Sequence, residues 1–153
     1  MLHNKQERAD SFLLAAIQEA ERGLAEGGIP IGSVLVHNGV IIGRGHNRRV
    51  QRGSTILHAA MDTLENAGRQ SAAFYRESTL YTTLSPCAMC SGAILLYGIP
   101  RVVVGENQSF MGEEQWLLNH DVQIQVLQDS LCIGLMRVFM QNNPTLWAED
   151  IGK

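Results

Sequence analysis

The chain of 153 residues is 45% hydrophobic and 18% charged, which is typical of one folded globular domain and excludes a disordered chain. Its net charge of −3 disfavours a nucleic-acid partner, and its longest apolar runs are too short to span a membrane. An N-terminus without an apolar core indicates no signal peptide, and three cysteines, an odd count, disfavour a disulfide framework. We therefore predict a single domain over residues 1–153 in a reducing, cytoplasmic location.

The first half of the chain predicts a helix, a hairpin and a second helix. Apolar residues recur at helical spacing over residues 9–24. Two strands are predicted around Asn38-Gly39, a dipeptide that strongly favours a tight β-hairpin. A helix is then predicted from about Thr55 to Asn66.

The second half alternates between strand and helix patterns. A β-rich run over residues 78–84 ends at Ser85-Pro86, where we predict a helix start with Ser85 as its cap. The elements predicted after that helix are a central strand at 101–106, a short helix near 113–119, a strand at 122–127 and a helix at 130–142. Because only the first connection is a hairpin, this order predicts a three-layer α/β/α fold with a central mixed five-stranded sheet flanked by helices.

Three residues have the character of a metal site. Cys87 and Cys90 are three residues apart at a predicted helix start, so both sulfurs face the same side, and His58 lies near the start of another helix. A helix N-terminus lowers a thiol pKa and favours the thiolate that binds metal. One imidazole and two thiolates suit zinc, with a fourth position left for water, which is the pattern of catalytic sites.

The cysteine pair is also compatible with three alternative roles. The C-x-x-C spacing occurs in thioredoxin-like redox pairs, although a redox role leaves His58 unused. A structural zinc site would need a fourth ligand, for which Cys132, His46 and His37 are the candidates. The third alternative is a pair of inert, buried cysteines.

The signature of zinc-dependent nucleobase deaminases is H-x-E followed by P-C-x-x-C. This chain has H-A-A at residues 58–60 and P-C-A-M-C at residues 86–90. The chain also resembles cytosine deaminases of the fungal type, within the cytidine and deoxycytidylate deaminase superfamily, along nearly its whole length. The stretches that carry the resemblance are EGGIPIG (26–32), GRGHN (43–47), LYTTLSPCAMC (80–90), GAILLYGIPR (92–101), VVGEN (103–107) and WAEDIGK (147–153).

The resemblance implies a cytidine deaminase-like fold, one Zn²⁺ per chain and hydrolysis of a free nucleobase, with cytosine converted to uracil and ammonia. It assigns His58, Cys87 and Cys90 to zinc. It also implies a substrate-binding set made of polar groups at Asn47 and Asp150, main-chain groups at Ala59 and Ser85, and apolar walls at Ile31, Phe110 and Trp147. A homodimer is implied in the same way.

Ala60 is the main departure from the family pattern. The family has at this position a glutamate that moves protons between water, ring nitrogen and departing amine, and alanine cannot do so. Loss of a general acid/base typically costs roughly 10²–10⁴ in rate. We interpret Ala60 as a Glu→Ala substitution that disables turnover while zinc and substrate still bind. A natural non-catalytic zinc-binding protein is the alternative, and Asp62 and Glu65 are too far along the helix to replace the glutamate.

Substrate identity has its own alternatives. Ala148 stands where the family has a bulky aromatic residue, which indicates a wider pocket and leaves guanine, isocytosine or another aminated ring as a candidate. A tRNA adenosine deaminase shares the zinc signature, and four arginines could then contact phosphate: Arg44, Arg48, Arg49 and Arg52. The net charge of −3 favours a small-molecule substrate over RNA.

Overall fold

The computed structural model describes residues 2–153 and the side chains from residue 11 onward. Helices and strands follow one another in the order α1 Leu2–Ala25, β1 Gly32–His37, β2 Val40–His46, α2 Arg49–Arg52, α3 Ala59–Ala67, α4 Ala72–Arg76, β3 Ser78–Leu84, α5 Ala88–Tyr97, β4 Arg101–Glu106, α6 Glu114–Asn119, β5 Gln123–Val126, α7 Ser130–Asn142 and α8 Pro144–Asp150.

The five strands form one mixed sheet in the order β2-β1-β3-β4-β5. Strand β1 pairs antiparallel with β2 and with β3, whereas β3, β4 and β5 pair in parallel. Every strand except β1 therefore points in the same direction. The predicted mixed sheet of five strands is confirmed, and β4 is an interior strand as predicted.

Alternating side chains of the interior strands bury both faces of the sheet. On one face, Leu80 and Val102 join a core built with α3, α5 and α6. On the other face, Tyr81 and Val103 pack against the apolar side of α1. The helix α7 lies on the α1 side, where its Cys132 contacts α1. This arrangement confirms the predicted three layers of helix, sheet and helix.

Strands β1 and β2 form the predicted hairpin, with its turn at Asn38-Gly39. Both residues have positive φ, 50° and 74°, as a two-residue turn of this kind requires. The helix at 130–142 and the strand at 78–84 also agree with their predicted bounds. Three short helices, α2, α4 and α8, have no counterpart in the predicted order because each is shorter than a clear helical pattern.

Two predicted helix starts are wrong in detail. The helix predicted from Thr55 begins only at Ala59, with His58 as its N-cap. The residue that caps α5 is Cys87 rather than the predicted Ser85, because the hydroxyl of Ser85 donates instead to a carboxylate oxygen of Glu114. In both cases the shift moves a predicted zinc ligand to the cap position itself.

Helix α3 lies directly on the backbone of β2. A Cβ atom added at Gly45 would come within 2.6 Å of Asp62 Oδ2 and 2.7 Å of Thr63 N. The amide of His46 also donates to Asp62 Oδ2 at 3.0 Å, which ties the end of β2 to the first turn of α3. Glycine at this position therefore sets the distance between the sheet and the helix that carries His58.

Within the residues that the structure describes, no helix has both the length and the apolar character needed to cross a lipid bilayer. The longest helix, α1, is amphipathic and buries one face against the sheet.

We predict that Gly45→Ala destabilises the protein by about 1–3 kcal/mol, because the added methyl group overpacks the contact between β2 and α3. Urea unfolding followed by circular dichroism would measure the change. Gly134→Ala is the matched control, since an added Cβ meets nothing within 4 Å there and the residue lies inside α7. The urea concentration at which Gly134→Ala is half unfolded should equal or exceed that of the unchanged chain. If Gly45→Ala were as stable as Gly134→Ala, the close packing of β2 against α3 would not limit the residue at position 45.

Candidate active site and metal centre

The candidate site lies at one edge of the sheet. Because β2, β3 and β4 run in the same direction, their carboxyl ends meet there. Asn47 follows β2, Cys87 follows β3 and the loop of residues 107–113 follows β4. Strand β1 runs the opposite way and contributes Ile31, the residue before its start.

Three donor side chains meet at the starts of α3 and α5. His58 Nδ1 lies 3.4 Å from Cys87 Sγ and 3.9 Å from Cys90 Sγ. All three donor atoms lie within 4.8 Å of one another, and these residues form the only such group in the part of the chain that the structure describes. The predicted ligand set is therefore brought together.

Local backbone geometry explains how the donors converge. His58 and Cys87 are the N-caps of their helices, both with extended backbone, and neither side chain caps its own helix. Each side chain is therefore free to turn away from its helix toward the common point. Cys90 is the third residue of α5, so it faces the same side as Cys87.

The spacing of the donors fits a zinc ion. Tetrahedral bonds of about 2.1 Å to nitrogen and about 2.3 Å to sulfur place such donors roughly 3.6–3.8 Å apart. The observed 3.4 Å and 3.9 Å bracket that range. One imidazole and two sulfurs supply three ligands, one fewer than a structural zinc site uses. His58, Cys87 and Cys90 could thus hold one ion with a position left over.

None of the candidates for a fourth ligand lies at the site. Cys132 is buried against Leu13 and Ile17 of α1. The ring of His46 contacts two carboxylates of α1 and the turn after it, and His37 lies near Glu77. The sulfurs of Cys87 and Cys90 both contact His58 Nδ1, a contact that a redox pair or an inert pair would not need. This geometry favours the three-ligand arrangement over the structural, redox and inert alternatives.

A buried carboxylate holds the far side of the histidine ring. Asp150 Oδ1 lies 3.2 Å from His58 Nε2, and Asp150 Oδ2 accepts a hydrogen bond from Asn47 Nδ2 at 3.0 Å. An acceptor at Nε2 favours the tautomer that leaves Nδ1 available to a metal ion. Within the described residues, Asp150 Oδ1 is buried and accepts no well-aligned hydrogen bond. That oxygen can still accept a hydrogen bond from a bound molecule.

The protonation of the three donors is shifted by their proximity. Burial alone would lower the pKa of His58, but contacts with Asp150 and Cys87 outweigh burial and raise that pKa to about 10. A hydrogen bond with Cys90 outweighs burial and, helped by His58, lowers the pKa of Cys87 to about 4. The bond with Cys87 and burial raise the pKa of Cys90 well above its ordinary value. The cluster thus shares protons that a metal ion would displace.

A cavity of about 400 Å³, including its mouth, opens beside the three donors. The walls that the sequence predicts are present: Ile31, Phe110 and Trp147 all line the cavity. Phe110 and Trp147 meet edge to face, with ring centroids 6.1 Å apart and planes at 86°. A flat ring is the shape that such walls favour.

Ala60 lines the same cavity and is 4% exposed. As the second residue of α3, it lies two positions after the candidate zinc ligand His58. The neighbouring acid Asp62 is committed elsewhere, because its Oδ2 accepts from His46 N and from Arg48 Nε. Glu65 is exposed on α3. Neither acid occupies the position that the family glutamate would take, as the sequence indicates.

Of the remaining predicted substrate-binding residues, two line the cavity and one does not. Ala59 and Ser85 line the cavity. The amide of Ser85 donates to the carbonyl of Glu106, so its free main-chain group is the carbonyl. Asn47 is fully buried and does not line the cavity; its amide supports Asp150 and its Oδ1 accepts from Arg49 N. A direct contact between Asn47 and a bound base remains a prediction.

Several residues around the cavity were not predicted from the sequence. Leu84 and Ile151 add apolar surface, and Thr82 and Pro86 complete the lining. Arg49 places Nη1 3.8 Å from Asp150 Oδ1 and adds positive charge behind that carboxylate. Pro86 is the first residue of the P-C-x-x-C motif and Leu84 lies two positions before it, which is a signal that could have identified them. No local sequence pattern identifies Arg49, because its place at the site depends on its contact with Asp150, which is distant in the sequence.

We predict that the chain binds one zinc ion and that Cys90→Ala abolishes stoichiometric binding, because one of three ligands is lost. Inductively coupled plasma mass spectrometry after dialysis against micromolar zinc would measure the metal content. Cys132→Ala is the matched control, since it removes another buried cysteine outside the cluster. Equal zinc content in the two variants would contradict the assigned ligand set.

We also predict that zinc binding weakens as the pH falls. With the pKa of Cys87 near 4, that of His58 near 10 and that of Cys90 raised, about two protons must leave His58 and Cys90 near pH 7. Apparent affinity should then fall about a hundredfold for each unit of pH between pH 8 and pH 6. Competition titrations with a chelator of known affinity would test this. Affinity that does not change over that range would contradict the proton assignment.

Comparisons with known proteins agree with this geometry. The family model described as the cytidine and deoxycytidylate deaminase zinc-binding region matches residues 6–106. The chain is 49% identical over 142 residues to a cytosine deaminase of Candida albicans, covering 92% of this chain and 95% of that protein. It is 39% identical over 140 residues to a tRNA-specific adenosine deaminase of Streptococcus pyogenes, covering 85% and 88%.

Solved structures show the same fold. A chain from a study of A-to-I editing by tRNA deaminases superposes with a TM-score of 0.71 at 25% identity, covering 82% of this chain and 99% of that chain. A guanine deaminase from Nitrosomonas europaea gives a TM-score of 0.67 at 22% identity, covering 84% and 82%. The predicted family and fold are confirmed, and the chain belongs to the cytidine and deoxycytidylate deaminase zinc-binding family.

Proposed function

We propose that this chain is a zinc-dependent hydrolytic deaminase of a free nucleobase, and that cytosine, converted to uracil with release of ammonia, is its substrate. The observation that carries the proposal is a group of three metal donors beside a small apolar cavity, with the carboxylate oxygen Oδ1 of Asp150 at its edge. The 49% identity to a cytosine deaminase over 92% of the chain supports the choice of base.

The chemistry that zinc supplies in a three-ligand site is the activation of a water molecule as a nucleophile near neutral pH. The residues of the chain orient the base. Ile31, Phe110 and Trp147 provide surfaces for a planar ring, and Asp150 Oδ1 accepts from its exocyclic amine. The carbonyl of Ser85 is a second acceptor at the cavity wall. Asn47 and His58 fix the carboxylate of Asp150 so that it cannot turn away.

In the chain as it stands, Ala60 leaves no carboxyl at the position from which protons would be transferred. Asp62 and Glu65 do not supply the missing carboxyl, because Asp62 binds the amide of His46 and Glu65 is exposed. We therefore propose that this form binds zinc and a base but turns over very slowly. The interpretation of Ala60 as a substitution in an otherwise competent deaminase is part of this proposal.

We predict that Ala60→Glu raises the rate of cytosine deamination by roughly 10²–10⁴, because it restores a general acid/base beside the metal donors. Ammonia release, followed with a coupled glutamate dehydrogenase assay, would measure the rate. Ala60→Gln is the matched control, because it has nearly the same shape but cannot move a proton, and it should stay inactive. If Ala60→Glu released no ammonia from cytosine, isocytosine or aminopurines, a non-catalytic zinc-binding protein would be the better description.

The tRNA adenosine deaminase alternative has support from relatives that are 39% identical. The arginines that could bind phosphate argue against it, because three of them already face carboxylates. Arg44 Nε lies 2.7 Å from Glu19 Oε2, Arg48 Nε lies 2.9 Å from Asp62 Oδ2, and Arg49 lies near Asp150. Deamination of tRNA rather than cytosine by the Ala60→Glu variant would favour this alternative.

We also propose that the protein is a homodimer with a cytoplasmic location. Exposed apolar side chains on α5 and α6, including Leu96, Trp116 and Leu118, provide surface that a second copy could cover. Cys132, which lies outside the metal cluster, is a free cysteine, and this suits a reducing compartment.

A further inference from the structure

The loop of residues 107–113 connects β4 to α6 and carries Phe110, one wall of the cavity. Its beginning is held by the fully buried Glu106, whose Oε2 accepts from the amides of Gln108 at 2.8 Å and Ser109 at 2.9 Å. Two adjacent amides bonded to one carboxylate oxygen fix the first turn of the loop.

The end of the loop is held by a second buried acid. Glu114, the first residue of α6, accepts the hydroxyl of Ser85 on Oε2 at 2.5 Å. The same hydroxyl oxygen accepts from the amide of Gly112 at 2.9 Å. The backbone carbonyl of Pro86 accepts from Glu113 N at 3.0 Å. The loop therefore ends against the segment that leads directly into Cys87.

Glu114 also reaches back to the beginning of the loop. Its Oε1 accepts from Asn107 Nδ2 at 3.3 Å, while its Oε2 binds Ser85. One side chain thus closes the loop on itself and attaches it to Ser85. The fit is close, because a Cβ atom added at Gly112 would overlap the carbonyl oxygen of Pro86. Little room remains for the loop to shift while these bonds persist.

We propose that Glu114 is a positioning residue for substrate binding, which holds the Phe110 wall at a fixed distance from the segment before the zinc ligand Cys87. Glu114 does not line the cavity, so it acts through Ser85 and the loop rather than on the base. The proposal rests on the proposed function for the identity of the ligand. The placement of Phe110 by Glu114 is a structural claim that can be tested separately.

The first test uses crystal structures of the zinc-loaded chain and its Glu114→Ala variant. We expect the variant to keep zinc at His58, Cys87 and Cys90 while Phe110 leaves its edge-on contact with Trp147. Glu114→Gln, which retains an acceptor for the Ser85 hydroxyl, should restore that contact. If Phe110 stays in place in the alanine variant, the proposal is overturned whatever the substrate is.

The second test measures cytosine binding to the zinc-loaded chains by isothermal titration calorimetry. Glu114→Ala should weaken binding about tenfold, and Glu114→Gln should recover most of that loss. Because Glu114 acts through Phe110, adding Glu114→Ala to Phe110→Ala should change the affinity by less than about twofold. The exposed neighbour Glu113, changed to alanine, is the matched control and should bind like the parent.

The outcomes separate the two claims. Full additivity of the Glu114→Ala and Phe110→Ala effects would assign Glu114 a general structural role and overturn the inference. A parent chain that fails to bind cytosine would count against the proposed function, while the position of Phe110 in the crystals would still decide the role of Glu114.

Discussion

The site depends on a histidine ring held from both sides. Nδ1 of His58 faces two sulfurs, and Nε2 faces the buried carboxylate of Asp150. His58 immediately precedes α3, whereas Asp150 is the last residue of α8, so the contact links distant parts of the chain. Burying Asp150 at 6% exposure is tolerable only because His58, Asn47 and Arg49 surround it with donors and positive charge.

The sheet makes these contacts possible by bringing four chain segments to one edge. The parallel order of β2, β3 and β4 places their following residues side by side, and the reversed β1 adds Ile31 at the same edge. Each segment then performs a different task. The residues after β3 supply two of the three candidate metal donors, the loop after β4 supplies an aromatic wall, and the residue after β2 orients a carboxylate.

The sequence predicted those parts of the site that depend on local chemistry. The cluster of His58, Cys87 and Cys90 could be predicted because helix starts and a three-residue spacing are local patterns of the sequence. The hairpin at Asn38-Gly39 was predictable for the same reason, since its turn depends on two adjacent residues.

Features that depend on contacts across the fold were missed. Ser85 has the local character of a helix cap, but Glu114, 29 positions later, offers its hydroxyl a charged acceptor inside the protein. The amide of Asn47 and the carboxylate of Asp150 are 103 positions apart, so no local pattern could show that one supports the other. The helix α8 was missed as well, because seven residues that begin with a proline carry little helical periodicity.

Position 60 illustrates how stability and catalysis oppose each other in this site. Ala60 is 4% exposed and belongs to the main apolar core, where alanine suits both the helix and its surroundings. A glutamate there would bring a carboxyl into the same poorly hydrated space, at a cost in folding free energy. Burial of that kind also raises a carboxyl pKa toward neutrality, which is the range in which a group best accepts and returns protons. The poorly hydrated surroundings that favour alanine for stability are therefore also the surroundings that a proton-transferring acid would need for its raised pKa.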